Sequence, residues 1–302
     1  MLRIDRGDQA WFVTQPHHAE LAGYLAAHWG NREFVRLGHF APAPDPERLR
    51  AEAVLGIAQH DNGWWEWDAA PRLREADGLP LGLAEVLKNQ REGMDRWRLS
   101  VPRFGEAHPY AALLIGCHAF WLHAPRVGTG LDPAFRHPLY AKAAPAELAG
   151  EEAAATRAFL AELEALQSEL RARIRADAAL AAGLEPEHLN PHVRLLQLLD
   201  GLSLSLCAAV IAPLEGRARG LGEDAFELPE VPRRGWADRV TVALRPSGGG
   251  RIVCRPFPFD PDPLPVVVPA RVLDLRGDHP SPFETRWHAV QPEPLRFAYC
   301  SV

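Results

Sequence analysis

The stretch PHVRLLQLLDGLSLSLCAAVI, residues 191–211, is the most informative part of the sequence for the fold, because it is apolar on nearly every side of a helix. A helix of this kind runs through a protein core rather than along its surface. Asp200 is the only charged residue between Leu195 and Leu214. An isolated charge in an apolar core is very unfavourable, so this carboxylate must be protonated, paired or bound to a metal. We therefore expect a buried helix over 191–211 and a partner for Asp200.

Two shorter helices upstream offer partners for this carboxylate. The spacing of apolar residues predicts one helix over 17–29, with His18 on its apolar face, and another over 47–60 that ends in a His-Asp pair. Imidazole and carboxylate together suit zinc, iron, manganese and other divalent metals. A single buried histidine is more often bonded to a carbonyl, and one His-Asp pair is weak evidence, but the combination favours a metal site. The expected ligands are His18, His60, Asp61 and Asp200.

A His, then a His-Asp pair ending the next helix, then a lone Asp in a later buried helix is the order found in HD-domain metalloproteins. The chain resembles this superfamily over roughly its first 210 residues. It is also similar to a bacterial domain family of unknown function within the superfamily, through the segments QPHHA at 15–19, HDNGWW at 60–65 and RPFPF at 255–259. The resemblance implies a helical core, a divalent ion on the four ligands and, in most members, hydrolysis of phosphate esters.

Some HD-domain proteins are di-iron oxygenases, which hold a second metal with extra histidines between the pair and the last Asp. In that interval a strongly apolar helix is predicted over 110–122, and His118 shares one face of it with Leu114 and Trp121. His118 is therefore the best-placed further ligand, and Asp61 and His118 are the expected catalytic residues. His108 and His123 are weaker candidates, and all three histidines crowd one helix instead of coming from separate elements.

Aromatic and basic residues near the predicted site are candidates for binding a substrate. Trp64 follows the His-Asp pair directly, and aromatic side chains often line ligand pockets, although they also close cores. Lysine and arginine bind phosphate strongly, although most runs of charge are solvated faces. The candidate substrate contacts are Trp64, Lys88, Arg103, His108 and His123.

The remaining pattern predicts a mainly α protein. Further helices are expected over 78–97 and 145–182, and a strand-like segment over 10–14. After Pro232 the chain changes to short β-branched or aromatic runs separated by turns, typical of a small antiparallel sheet. We expect an HD-domain-like helical bundle over 1–230 that binds the metal, with a small antiparallel β subdomain over 231–302 packed on it.

Composition limits the classes of partner. The 302 residues are 47% hydrophobic and carry a net charge of −6, without the basic excess of a nucleic-acid-binding protein. No signal-peptide pattern, uncharged membrane-length apolar stretch or paired-cysteine spacing occurs, which predicts a cytoplasmic protein without a membrane partner. The long helix over 145–182 offers a face for a homodimer.

These features favour a metal-dependent hydrolase that acts on a small-molecule phosphate ester. The cofactor is a divalent ion of Mn, Fe, Zn, Mg or Co, with a second ion if His118 recruits one. Two alternatives remain. One is a di-iron HD-domain oxygenase acting on a small organic substrate, and the other is a non-catalytic binding module stabilised by a metal.

Overall fold

The computed structural model describes residues 1–86, 90–276 and 281–302. In these residues, the helices are α1 Gln15–Ala27, α2 Pro46–Ala58, α3 Trp65–Ala69, α4 Leu83–Val86, α5 Gln90–Arg103, α6 Pro109–His123, α7 Gly150–Arg175, α8 Pro186–Cys207 and α9 Phe283–Ala289. The strands are β1 Leu2–Arg6, β2 Gln9–Val13, β3 Phe226–Gly235, β4 Asp238–Gly248, β5 Arg251–Arg255, β6 Leu264–Asp274 and β7 Glu293–Cys300.

The core is built around α8. Every residue from Pro191 to Cys207 is buried, so the buried helix expected here is confirmed, although it begins and ends earlier than predicted. α8 packs against α1, α2 and α6, and α6 packs in turn against α2 and α7. The helix predicted over 78–97 is divided between α4 and α5, with 87–89 outside the described residues.

The first two long helices approach each other unusually closely. A Cβ atom added at Gly23 of α1 would clash with the Cβ of Ala58 in α2. Glycine therefore lets the two backbones come together at this point. This contact brings the start of α1 towards the residues that follow α2, where the predicted ligands lie.

All the strands of the described residues join in one mixed sheet. It has seven strands in the order β1-β2-β6-β7-β5-β4-β3. Neighbours are antiparallel, as in the pairing of Leu2 with Val13 and of Leu264 with Tyr299, except that β5 and β7 are parallel. The sheet contacts α8 through β1 and β3, and α1 through β6. It therefore covers the core helices instead of forming a separate small layer.

The predicted fold class, a mainly α bundle with a small C-terminal antiparallel sheet, is wrong. The sheet is large and mixed, and its β1 and β2 come from the N-terminal end of the chain. Of these two strands, only β2 is predicted from the sequence. β1 is not, because its sequence LRIDR carries three charges among five residues. β3 contains two prolines and was missed, but it forms an edge of the sheet, where proline is tolerated.

None of the helices in the described ranges combines the length and apolar character needed to cross a lipid bilayer.

Candidate metal centre

Two histidines and one aspartate meet in the protein interior. Nε2 of His18 lies 3.0 Å from Oδ1 of Asp200, and Nε2 of His60 lies 3.5 Å from the same oxygen. The two Nε2 atoms are 3.3 Å apart. All three side chains are buried, and a metal ion could bind their donor atoms, which lie within 4.8 Å of one another.

Each candidate ligand comes from a different helix or from the residues just after one. His18 lies in the first turn of α1, where Pro16 and the Thr14 cap fix the helix start. His60 follows the C-terminal end of α2, and Asp200 lies in the middle of α8. The close approach of α1 and α2 at Gly23 brings the two imidazoles together against α8.

Hydrogen bonds behind the two rings fix which nitrogen faces the centre as an acceptor. Nδ1 of His60 lies 2.7 Å from the carbonyl oxygen of Ile57, which can only accept, so Nδ1 donates. The Ser203 hydroxyl donates to the Asp200 carbonyl oxygen at 2.9 Å, so at 2.7 Å it accepts from Nδ1 of His18. Both neutral rings therefore direct the lone pair of Nε2 towards the centre.

Two lone pairs and a carboxylate oxygen facing one another require a cation between them. Burial alone lowers the pKa of His60, but the charges of Asp61 and Asp200 outweigh it and raise that pKa to about 9. Burial would raise the pKa of Asp200, yet the surrounding histidines hold it well below its usual value. A proton on His60 can supply the positive charge, and a divalent ion fits the same donors and would displace that proton.

Asp61 lies at the edge of this group. Its Oδ2 is 3.6 Å from Nε2 of His18 and 3.8 Å from Nε2 of His60, and the side chain is buried. Burial raises the pKa of Asp61, and the charge of Asp200 adds to this effect, whereas His60 and His18 oppose it. Asp61 is therefore a fourth candidate donor beside the centre, and its oxygen lies farther from the two Nε2 atoms than Oδ1 of Asp200 does.

A second group of donors shares Asp200. Nε2 of His118 lies 3.4 Å from Oδ2 of Asp200, and Nε2 of His137 lies 2.8 Å from the same oxygen. Both rings are buried, and with Asp200 they form a second group that could hold a metal. Burial lowers the pKa of His118 well below its usual value, so this ring is neutral.

Sequence reasoning missed His137. The residue stands before the one-turn helix Pro138–Tyr140, where no periodic pattern marks a buried face. Its presence between the His-Asp pair and Asp200, on an element separate from α6, was the available signal. The backbone N–H of Leu139 donates to Nδ1 of His137 at 3.1 Å, so the neutral ring carries its hydrogen on Nε2 and donates it to Asp200.

A pocket that is partly open to solvent lies beside the donor groups. His18, Asp61, His118 and Asp200 all line it. Much of the remaining wall is apolar, including Trp97, Leu122 and Leu139. A small molecule in this pocket would therefore contact the candidate metal centre and an apolar surface at once.

Only some of the predicted substrate contacts line the pocket. Trp64 and His123 line the pocket. Arg103 does not, because its guanidinium donates to the Asn62 carbonyl oxygen and pairs with Glu66. His108 also lies outside the pocket. Its Nδ1 is 2.9 Å from Oε1 of the buried Glu52. Lys88 lies outside the described residues.

Comparison with known proteins gives one match. A family model described as "Protein of unknown function (DUF3891)" matches residues 1–275. No curated protein and no solved structure matches the chain.

Proposed function

We propose that this chain, which belongs to the DUF3891 family, is a metal-dependent hydrolase that acts on a small phosphate ester. One observation carries the proposal: the lone pairs of His18 and His60 converge with Asp200 on one point at the wall of a pocket. Catalytic metal sites hold the ion with about three protein ligands and leave a position open towards substrate.

The donor set fits a divalent ion of borderline softness. His18 and His60 would bind through Nε2 and Asp200 through Oδ1, with Asp61 as a further oxygen ligand. Nδ1 of His60 donates to Ile57 and Nδ1 of His18 donates to Ser203, as is usual for metal-binding histidines. An ion bound here supplies Lewis-acid activation of water and neutralises negative charge on a phosphoryl oxygen.

Two further residues have roles in this scheme. Asp61 lines the pocket beside the centre, so its carboxylate is placed to orient an attacking water and accept its proton. His118 lines the same pocket as a neutral ring, and its buried Nδ1 has no hydrogen-bond partner within the described part of the chain. That nitrogen can form a hydrogen bond with a substrate group in the pocket.

The order of the ligands along the chain supports phosphate esters as the substrate class. His18, the His60-Asp61 pair and Asp200 follow the order of HD-domain proteins, most of which hydrolyse phosphate esters. The large mixed sheet is additional to the helical core that the resemblance implies, so the likeness rests on the ligands and the helices that carry them.

The second donor group favours an alternative, an oxygenase with two irons. His118, His137 and Asp200 could hold the second ion. The hydrogen bond from Leu139 opposes this reading, because it places a hydrogen on the nitrogen of His137 that would have to bind the metal. We therefore favour one ion, with His137 as the residue that orients Asp200.

A panel of phosphomonoesters and phosphodiesters tests the hydrolase. Wild-type protein is supplied in turn with Mn²⁺, Zn²⁺, Mg²⁺ or Fe²⁺, and release of the alcohol product is measured. We expect hydrolysis of at least one ester class by the wild type, its loss in Asp200→Ala, and its retention in the control His108→Gln, which lies outside the pocket. Turnover of no ester under any metal contradicts the proposal.

A further inference from the structure

The same pocket contains a cation that the proposed chemistry does not use. Arg126 lines the pocket from the turn Ala124–Val127, directly after α6. Its side chain is half-buried, and Nε is buried without a hydrogen-bond partner. Within the described ranges, no carboxylate forms an ion pair with this guanidinium.

An unpaired arginine in this setting is unusual. Arginine is rarely withdrawn from water unless it is paired. The fully buried Arg194 of this chain follows that rule, because it donates to the carbonyl oxygens of Arg136 and Pro229 at 2.7 and 2.6 Å. Among the described residues Arg126 has no equivalent acceptor, so its charge is available to a ligand in the pocket.

A second unpaired group lies beside it. His123 is buried at the end of α6, lines the pocket, and has an Nδ1 atom without a partner in the part of the chain that the structure describes. Burial and the charge of Arg126 lower the pKa of His123 to about 3, so the ring is neutral. It can add a hydrogen bond to a group held by Arg126 without adding charge.

The pocket separates this cation from the metal centre. His123 lies five positions after His118 on α6, which corresponds to about 7.5 Å along the helix axis. Leu122 and Leu139 line the pocket together with these residues. For a ligand that reaches from the centre to Arg126 we therefore expect an apolar body with a polar group at each end.

We propose that Arg126 determines the substrate specificity of this pocket by binding an anionic group at the end of the substrate remote from the reacting bond. The anion is a carboxylate or a phosphoryl group, both of which arginine binds with paired hydrogen bonds. The apolar body of the substrate packs against Leu122 and Leu139, and its reacting group faces His18, His60 and Asp200. The proposal rests on the proposed function only in assigning the reacting end.

Binding to metal-free protein tests the proposal independently of hydrolysis. The probes are ω-phenyl carboxylates from phenylacetate to 5-phenylpentanoate, the matching phenylalkyl phosphates and the matching uncharged alcohols, each titrated calorimetrically in the presence of EDTA. We expect at least one anion series to bind tenfold or more tightly than its alcohols. The stronger of the two series identifies the carboxylate or the phosphoryl group as the preferred anion.

Variants identify the residue responsible. Arg126→Gln should lose tenfold or more of the affinity for the anion and none for the alcohol, whereas the control Arg157→Gln, which changes an exposed arginine of α7, should bind as the wild type does. Asp200→Ala should retain the Arg126-dependent binding, so failure of the metal site leaves this result intact. Equal binding of anion and alcohol, binding of neither anion, or unchanged binding by Arg126→Gln overturns the proposal.

Melting temperatures show whether Arg126 binds a ligand or stabilises the fold. Because Arg126 has no partner to lose within the described residues, Arg126→Gln should melt at or above the wild-type temperature without ligand. The anion that binds best should raise the melting temperature of the wild type and not that of the variant. A large drop in the melting temperature of ligand-free Arg126→Gln contradicts the assignment.

Discussion

Nε2 of His18 and Nε2 of His60 lie 3.3 Å apart, although the other nitrogen of each ring is already engaged as a donor. If both rings are neutral, each directs a lone pair into the gap and the two repel each other. Either a proton on His60 or a metal ion in place of that proton relieves the repulsion. This arrangement is the basis for proposing a metal site, and the hydrogen bonds behind the two rings provide tests of it.

Ser203→Ala should weaken metal binding without removing a ligand. The hydroxyl holds Nδ1 of His18 as a donor, and loss of such outer hydrogen bonds typically reduces metal affinity by about 10- to 100-fold. Competition of Zn²⁺ against a chromophoric chelator measures the change. Ser205→Ala is the matched control, since Ser205 lies on the same helix and bonds to the Leu202 carbonyl oxygen. Equal Zn²⁺ affinities of the two variants would show that Ser203 does not support metal binding.

His137→Gln distinguishes one metal from two. If His137 only donates to Asp200, the variant still binds one ion, with an affinity lower by about tenfold. Metal bound per chain is measured by elemental analysis after equilibrium dialysis, for the wild type and the variant. Two ions in the wild type and one in the variant would make His137 a ligand and favour the oxygenase.

Gly23→Ala should impair both stability and metal binding. The added methyl group would meet Ala58 and force α1 and α2 apart, and overpacking of this kind costs about 1–3 kcal/mol. Denaturant unfolding and Zn²⁺ competition measure the two effects. Gly235→Ala is the control, because a Cβ atom there meets nothing within 4 Å. A stable Gly23→Ala protein with unchanged affinity would show that this contact does not position the ligands.

We expect His192 to lower the free energy of unfolding in acid. Burial lowers its pKa from 6.5 to about 3, and its Nε2 accepts the Gly38 N–H, so the folded state requires the neutral ring. Below pH 6.5 the unfolded chain takes up a proton that the folded chain does not, so this contribution is complete above pH 6.5 and declines as the pH falls towards 3.

The corresponding measurement is the free energy of unfolding between pH 6 and pH 4, with EDTA present. The wild type should lose more stability per pH unit than His192→Gln, by up to about 1.4 kcal/mol for one proton. Parallel curves for the two proteins would exclude His192 as the titrating group.

Much of the site was predictable from local patterns. His18 was recognised because it repeats with the apolar face of its helix, and Asp200 because it is an isolated charge in an apolar segment. The structure brings both to His60, and Asp61 lies beside them. Periodicity is informative here because each ligand belongs to a long helix or to the residues that end one.

The parts that were missed lack such periodicity. His137 precedes a single helical turn, and Arg126 follows the end of α6, so neither belongs to a repeating face. The sheet was underestimated because β2 pairs with β6 across most of the chain length, and strand pairing between distant segments leaves no local signal. Tertiary contacts, rather than propensity, determine these features.

The most direct test of the metal site is elemental analysis of purified wild-type protein and of Asp200→Ala, with an optical and paramagnetic spectrum of the wild type. We expect one divalent ion per wild-type chain and none in the folded variant. Absence of metal from the wild type, even after reconstitution, or retention of the ion by Asp200→Ala, would contradict the assignment of His18, His60 and Asp200 as a metal site.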